Sequence, residues 1–233
     1  MNVDQSTYEF LLHAEILSCE LTSTGSNYTF RSKLRLGERT GLAIYKPKDG
    51  EVPLWDFPTG TLYKRECAAY LLSEILGWDF IPLTLIRDGP YGIGSVQQFI
   101  EHDPRQNYYT LNEANAGPLR MIACYDLVAN NTDRKAGHII EGRDGKLWGI
   151  DQGLTFHAET KIRTVIWDFC GESIPEPHLA SLRNLCQLLV RPQGRVQEML
   201  DLLRPEEVAS LHQRLEWVLR EGAYPGLPGR RRR

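Results

Sequence analysis

The stretch NNTDRKAGH (residues 130–138) gathers an Asp, an Arg, a Lys and a His on one short polar segment. It follows the apolar MIACYDLVA (121–129) and precedes KLWGIDQGLTF (146–156), a strand-like run interrupted by Asp151 and Gly153. Asp133 and Asp151 therefore each stand where an apolar element meets a loop. An Asp at a strand end, followed closely by Gly, can reach into a cleft and hold a hard cation such as Mg2+, which prefers carboxylate and phosphate oxygens. An Asp on a polar loop can position an incoming hydroxyl and accept its proton.

Upstream, the chain is rich in strand signals. ILSCEL (16–21) is a short strand and TSTGSN (22–27) a small polar turn. YTFRSKLRL (28–36) alternates as a half-buried strand does, GER (37–39) turns, and TGLAIYKP (40–47) returns. A loop punctuated by Pro and Gly (49–60) leads into LYKRECAAYLLSEILG (62–77), whose apolar residues recur at helical spacing and which Gly77 can cap. PLTLIRDG (82–89) and GSVQQFIEHD (94–103) form a second hairpin. Lys46 lies near a strand end and Glu66 early in the next helix. A buried Lys needs a counter-charge or it neutralises; a helical Glu facing the strand supplies one, and an ammonium so held can grip phosphate oxygens.

After Asp103 the character changes. A polar connection leads to a helix over 118–129, and helices are expected again over 178–190, 194–203 and 205–220. The last starts with Pro205 followed by Glu206 and Glu207, a sound helix entry. The expected architecture is α+β: a sheet-rich lobe with one helix (1–103) and a helical lobe (104–233) ending in the basic tail GRRRR (229–233). A cleft between such lobes is a common ligand site.

The bulk properties narrow the class. At 42% hydrophobic and 24% charged, the composition is that of a globular protein, and the net charge of −3 gives no field that would draw nucleic acid. The arginine tail reads as a solvated end, with an anionic partner as the minority reading. Five scattered cysteines form no C-x-x-C pair, which argues against a zinc site and for reduced thiols in the cytoplasm. The N-terminus lacks the pattern of a signal peptide, and no apolar run approaches the roughly 20 residues of a membrane span.

The order Lys46, Glu66, Asp133, Asp151 matches the inventory of kinase-type phosphoryl transfer, which works by positioning and charge neutralisation. LVANNTDRKAGH followed by LWGIDQGLTF resembles the catalytic and metal loops of the phosphatidylinositol 3- and 4-kinase superfamily, nearest in style to the type II phosphatidylinositol 4-kinases and the HipA-like kinases. The whole chain is similar to small bacterial proteins assigned to that superfamily. The resemblance implies a two-lobed protein-kinase-like fold, ATP with Mg2+ or Mn2+ as cofactors, and a hydroxyl acceptor on a lipid headgroup, protein, sugar or small metabolite. It assigns Asp133 and Arg134 to catalysis and Asp151 to the metal. Lys46, with Glu66 as its partner, would bind nucleotide. Gly25, Ser26 and Asn27 form a shortened loop near the β- and γ-phosphates, and Gln98, Phe99 and Ile100 of VQQFIEHD line the adenine pocket.

In one place the sequence departs from that pattern. The second metal ligand, usually Asn five residues after the catalytic Asp, is His138. Imidazole suits Mn2+ or Zn2+ better than Mg2+, so either His138 is a ligand with an unusual metal preference or the second site is lost. The latter leads to a non-catalytic nucleotide-binding module acting through protein partners. Transfer of AMP in place of phosphate is a third reading. Taken singly, each residue also has a plain structural role: Lys46 as a surface lysine, Glu66 as a solvated helix charge, Asp133 with Arg134 as an ion pair, and Asp151 as turn chemistry. In TVIWDFCGESIPEP (164–177), Trp167 and Phe169 read as packing, with Asp168 and Glu172 as candidate substrate contacts.

Overall fold

Phe30, Ser32 and Leu34 point inward while Arg31, Lys33 and Arg35 point to solvent, so the strand they form has one dry and one wet face. It is β2 of a five-stranded antiparallel sheet. The structure is a computed structural model describing residues 5–22, 25–111 and 113–226; the basic tail expected at 229–233 lies outside the described residues. Strands β1 (Glu15–Leu21), β2 (Phe30–Leu36), β3 (Arg39–Pro47), β4 (Thr84–Gly89) and β5 (Gly92–Gln98) lie in the order β1-β2-β3-β5-β4.

Two helices attach to this sheet. The first, α1 (Gln5–His13), is not expected from the sequence, because its nine residues, which bury Thr7, Phe10 and Leu11, are too few to display a helical period. Its free C-terminal carbonyls are met by Arg87 of β4, whose Nη1 donates to Leu11 O, Leu12 O and Ala14 O at 2.8, 3.0 and 2.9 Å. The second, α2 (Leu62–Ile75), falls where helical spacing predicts it and is buried on nearly every side, between β4, β5 and the C-terminal helices. Its Arg65 forms a fully buried ion pair with Glu207.

Strand β5 ends at Gln98, short of the expected 103. Gln98 pairs with Ala43 at the limit of the β3–β5 ladder, and beyond it the chain leaves the sheet. The remainder is helical: α3 (Ala116–Ala129), α4 (Glu176–Val190), α5 (Arg195–Asp201) and α6 (Pro205–Glu221), with a small hairpin of β6 (Ile139–Glu141) and β7 (Leu147–Gly149). The chain is thus α+β, with a sheet-rich N-terminal region and a helical C-terminal region. One continuous apolar core runs from Phe10 and Leu34 through Tyr125 and Val128 to Leu211 and Val218. Phe169 packs against Tyr224 and the Arg120 guanidinium, as its packing role requires. Asp168 accepts from the Tyr108 hydroxyl, and Glu172 pairs with Arg120 at 2.6 Å. The five cysteines are free thiols. Among the described residues no helix is long and apolar enough to cross a membrane.

Candidate active site

Lys46 stands near the end of β3, where the strand's alternation turns it toward α2. Its ammonium donates to Glu66 Oε1 and, at 2.8 Å, to Asp151 Oδ1. Glu66 is buried, and its second oxygen accepts from the Gln152 backbone N–H at 2.9 Å. A residue from the sheet, one from α2 and one from the loop after β7 thus meet at a single charge. Burial works against the Lys46 ammonium, but the carboxylates of Asp151 and Glu66 outweigh it and hold its pKa above the usual lysine value. Lys46 in turn drives the Asp151 carboxyl well below the ordinary range, against the pull of burial. Burial raises the Glu66 pKa, with Lys46 opposing.

His138 Nε2 lies 3.3 Å from Asp151 Oδ2. Burial lowers its pKa, so the ring is held neutral, the form that ligates metals. A carboxylate oxygen and an imidazole nitrogen facing each other fit a divalent cation that accepts both oxygen and nitrogen donors. Among the described residues no three His, Cys, Asp or Glu side chains form a complete cage, so such an ion would take further oxygens from phosphate or water.

The loop carrying Asp133 is rigidly built. Asn130 closes α3 in the left-handed conformation (φ 49°), which Asn tolerates better than most residues. Its side chain donates to His157 O and Glu159 O at 2.8 and 2.6 Å. Asn131 Oδ1 accepts the Asp133 backbone N–H at 2.9 Å. Arg134 does not face the cleft: it is buried and fork-bonded to Asp126 of α3, with Nη2 at 2.9 Å from Oδ1 and Nε at 3.1 Å from Oδ2. It is therefore a positioning residue that supports the loop, and its ion pair is with Asp126, not with Asp133. Asp133 itself stays partly exposed, with Lys135 Nζ 2.7 Å away.

Two adjoining cavities meet at Lys46 and Asp151. The smaller, about 120 Å3, is walled by Gly25, Ser26 and Asn27 on one side and by Asp133 and Lys135 on the other. The larger, about 460 Å3, is an apolar slot between Ile44 and the pair Ile140 and Ile150, closed by Gln98, Phe99 and Ile100. The structure thus gathers the expected catalytic, nucleotide and metal residues around one cleft except Arg134, which lies behind it; Asp168 and Glu172, the candidate substrate contacts, lie elsewhere, beside Tyr108 and Arg120. Sequence reading missed Asp126 and Gln152. Asp126 is fully buried and also accepts from Thr164 Oγ1 at 3.2 Å, while Gln152 Oε1 accepts from Asn131 Nδ2 at 3.3 Å and Arg134 Nη2 at 3.1 Å. A lone acid inside the apolar MIACYDLVA was the available signal, since a buried charge requires a partner.

The arrangement of lobes defines a kinase-like fold. The crystal structure of the Golgi casein kinase with Mn/ADP bound matches with a TM-score of 0.61 at 14% identity, covering 94% of this chain and 76% of that one. Hydra Fam20 with sugar matches with a TM-score of 0.57 at 14% identity, covering 95% and 90%. No family model matches the chain. Protein Rv2133c of Mycobacterium tuberculosis is 36% identical over 259 aligned positions, covering 94% of this chain and 92% of that protein. The chain belongs to the same family as Rv2133c.

Proposed function

We propose that the protein is an ATP-dependent phosphotransferase of the phosphatidylinositol 3-/4-kinase-like superfamily, with residues 1–103 as its N-lobe and 104–233 as its C-lobe. The observation that carries this reading is the junction of Lys46 with both Glu66 and Asp151, a strand, a helix and a loop converging on one cation. In this reading Lys46, steadied by Glu66, binds the α- and β-phosphate oxygens, and residues 25–27 cover the β- and γ-phosphates. Asp151 and His138 hold a divalent cation, which when bound neutralises charge on the phosphates. Asp133 orients the acceptor hydroxyl and takes its proton. The acceptor oxygen then bonds to the γ-phosphorus as the bond to the β,γ-bridging oxygen breaks. Arg134 fixes the loop from behind. The Mn and ADP in the similarly folded Golgi casein kinase structure support the choice of nucleotide and metal. The acceptor is a hydroxyl on a lipid headgroup, protein or small metabolite.

The test is incubation with γ-phosphate-labelled ATP and either Mg2+ or Mn2+, following label into protein and free phosphate. Transfer or hydrolysis that disappears in both Asp133→Asn and Asp151→Ala supports the assignment; full activity in Asp151→Ala sinks the metal role. His138 in place of the usual Asn favours a second reading, a non-catalytic ATP-binding module acting through protein partners. Nucleotide binding without turnover across a broad acceptor and metal screen would select it.

A further inference from the structure

Resting on the reading of this cleft as a nucleotide site, we propose that Gln97 is the residue that selects adenine over guanine. Gln97 is the penultimate residue of β5. It pairs across the sheet with Ile44 on one side and Thr84 on the other, so all three side chains share the face that looks into the cleft. Gln97 is only 5% exposed, and it lines the inner wall of the apolar slot, between Ile44 and the segment 98–100 that closes it. Among the polar groups that line this recess, Gln97 is a buried amide, the kind of group that fixes a ligand's orientation.

The hydrogen-bond chain behind Gln97 determines which end of the amide faces the slot. Thr84 Oγ1 lies 2.8 Å from Pro82 O, an acceptor only, so the hydroxyl spends its single proton there. Thr84 Oγ1 must then accept from Gln97, and the amide nitrogen Nε2 stands 2.8 Å from it. A flipped amide would leave Thr84 Oγ1 facing two acceptors with one hydrogen. One N–H of the amide is therefore spent on the sheet, which fixes the amide's orientation, and Oε1 is left over. That oxygen accepts from no described residue and is not sealed in the core, so it opens on the slot that Gln97 lines.

A base entering between Ile44 and Ile150, with its sugar and phosphates directed to Lys46 and Asp151, leads with its six-membered ring. The 6-position of adenine carries an NH2 donor, which Oε1 can accept. The 6-position of guanine carries an oxygen, which would face Oε1 acceptor to acceptor. Sites built to hydrogen-bond one group reject the analogue lacking it, because a buried polar atom is left unpaired.

The experiment is calorimetric titration of the full chain, with Mn2+ present, using ATP, purine riboside triphosphate (which lacks the 6-amino group) and GTP. Wild type should bind purine riboside triphosphate about tenfold more weakly than ATP, and GTP more weakly still. Gln97→Met should bring the ATP dissociation constant up to that of purine riboside triphosphate while leaving the latter within about twofold. Thr84→Val frees the amide to rotate and should narrow the gap between ATP and GTP. Equal affinity for ATP and GTP in the wild type overturns the assignment of Gln97 and leaves the nucleotide site standing, and so does discrimination that survives Gln97→Met. Absence of binding by all three nucleotides overturns the nucleotide reading and this inference with it. Where Gln97→Met fails to fold, Thr84→Val carries the test, and an unchanged gap between ATP and GTP in that variant overturns the assignment.

Discussion

Asp151 has a backbone φ of 57° and, with Asn130 (49°) and Phe156 (58°) in the flanking loops, makes three of the four non-glycine residues with positive φ among the described residues. Left-handed backbone costs a non-glycine residue energy, and it persists where surrounding structure overrides it, often at functional sites. Here it turns the Asp151 carboxylate back toward Lys46 and His138. Asp151→Asn keeps the shape but removes the charge that the metal needs. It should abolish Mn2+-dependent ATP binding, read by calorimetry, and survival of that binding would sink the metal assignment. His138→Asn exchanges a nitrogen ligand for a hard oxygen. The ratio of turnover in Mg2+ to that in Mn2+ should rise by about tenfold or more, and an unchanged ratio would remove His138 from the metal shell. Lys46, Glu66, Asp133 and Asp151 were legible in the sequence because charged residues at element ends, in that order, have few joint explanations. Gln152 was not, because an amide acquires its role only from what folding places around it.

The elements around the Asp133 loop are held by the buried hub of Asp126, Arg134, Asn131 and Gln152. Removing one partner of a buried ion pair leaves an uncompensated charge. Asp126→Ala should therefore lower stability by about 3–5 kcal/mol, measured by urea denaturation. A loss below about 1 kcal/mol would show that the pair is not what holds the loop. Arg214 of α6 ties the same region from the other side, donating to Val128 O at 2.8 Å and His157 O at 3.2 Å, the residues that lead into the Asp133 loop and out of the Asp151 loop. At this scale β2, β3, α2 and the β4–β5 hairpin were readable, since their patterns match the period of the element. The helix α1 and the strand β6 were not: α1 owes its helicity to Arg87 and the sheet beneath it, and three residues of β6 carry no period at all. β5 overran its true end in the reading because FIEH is apolar enough to continue a strand, while Ala43 sets the limit of its ladder.

For the whole molecule, a ligand that bridges both lobes stabilises the folded state by mass action. Saturating ATP and Mn2+ at a hundred times the dissociation constant should add about 2.7 kcal/mol. The gain should be visible as a raised melting temperature that Asp151→Asn lacks; an equal rise in that variant would mean that nucleotide binds elsewhere. The two-lobed plan was legible from the change in pattern near Asp103. What joins the lobes was not, because Arg65 and Glu207 stand 142 residues apart in the chain and meet only on folding. That buried pair pins α2 to α6 and so keeps Glu66 beside Lys46 without any ligand. Swinging α2 away from Lys46 would leave Arg65 and Glu207 as two unpaired charges in the core. Hydrogen exchange along α2 should accordingly be as slow in the free protein as in the nucleotide complex.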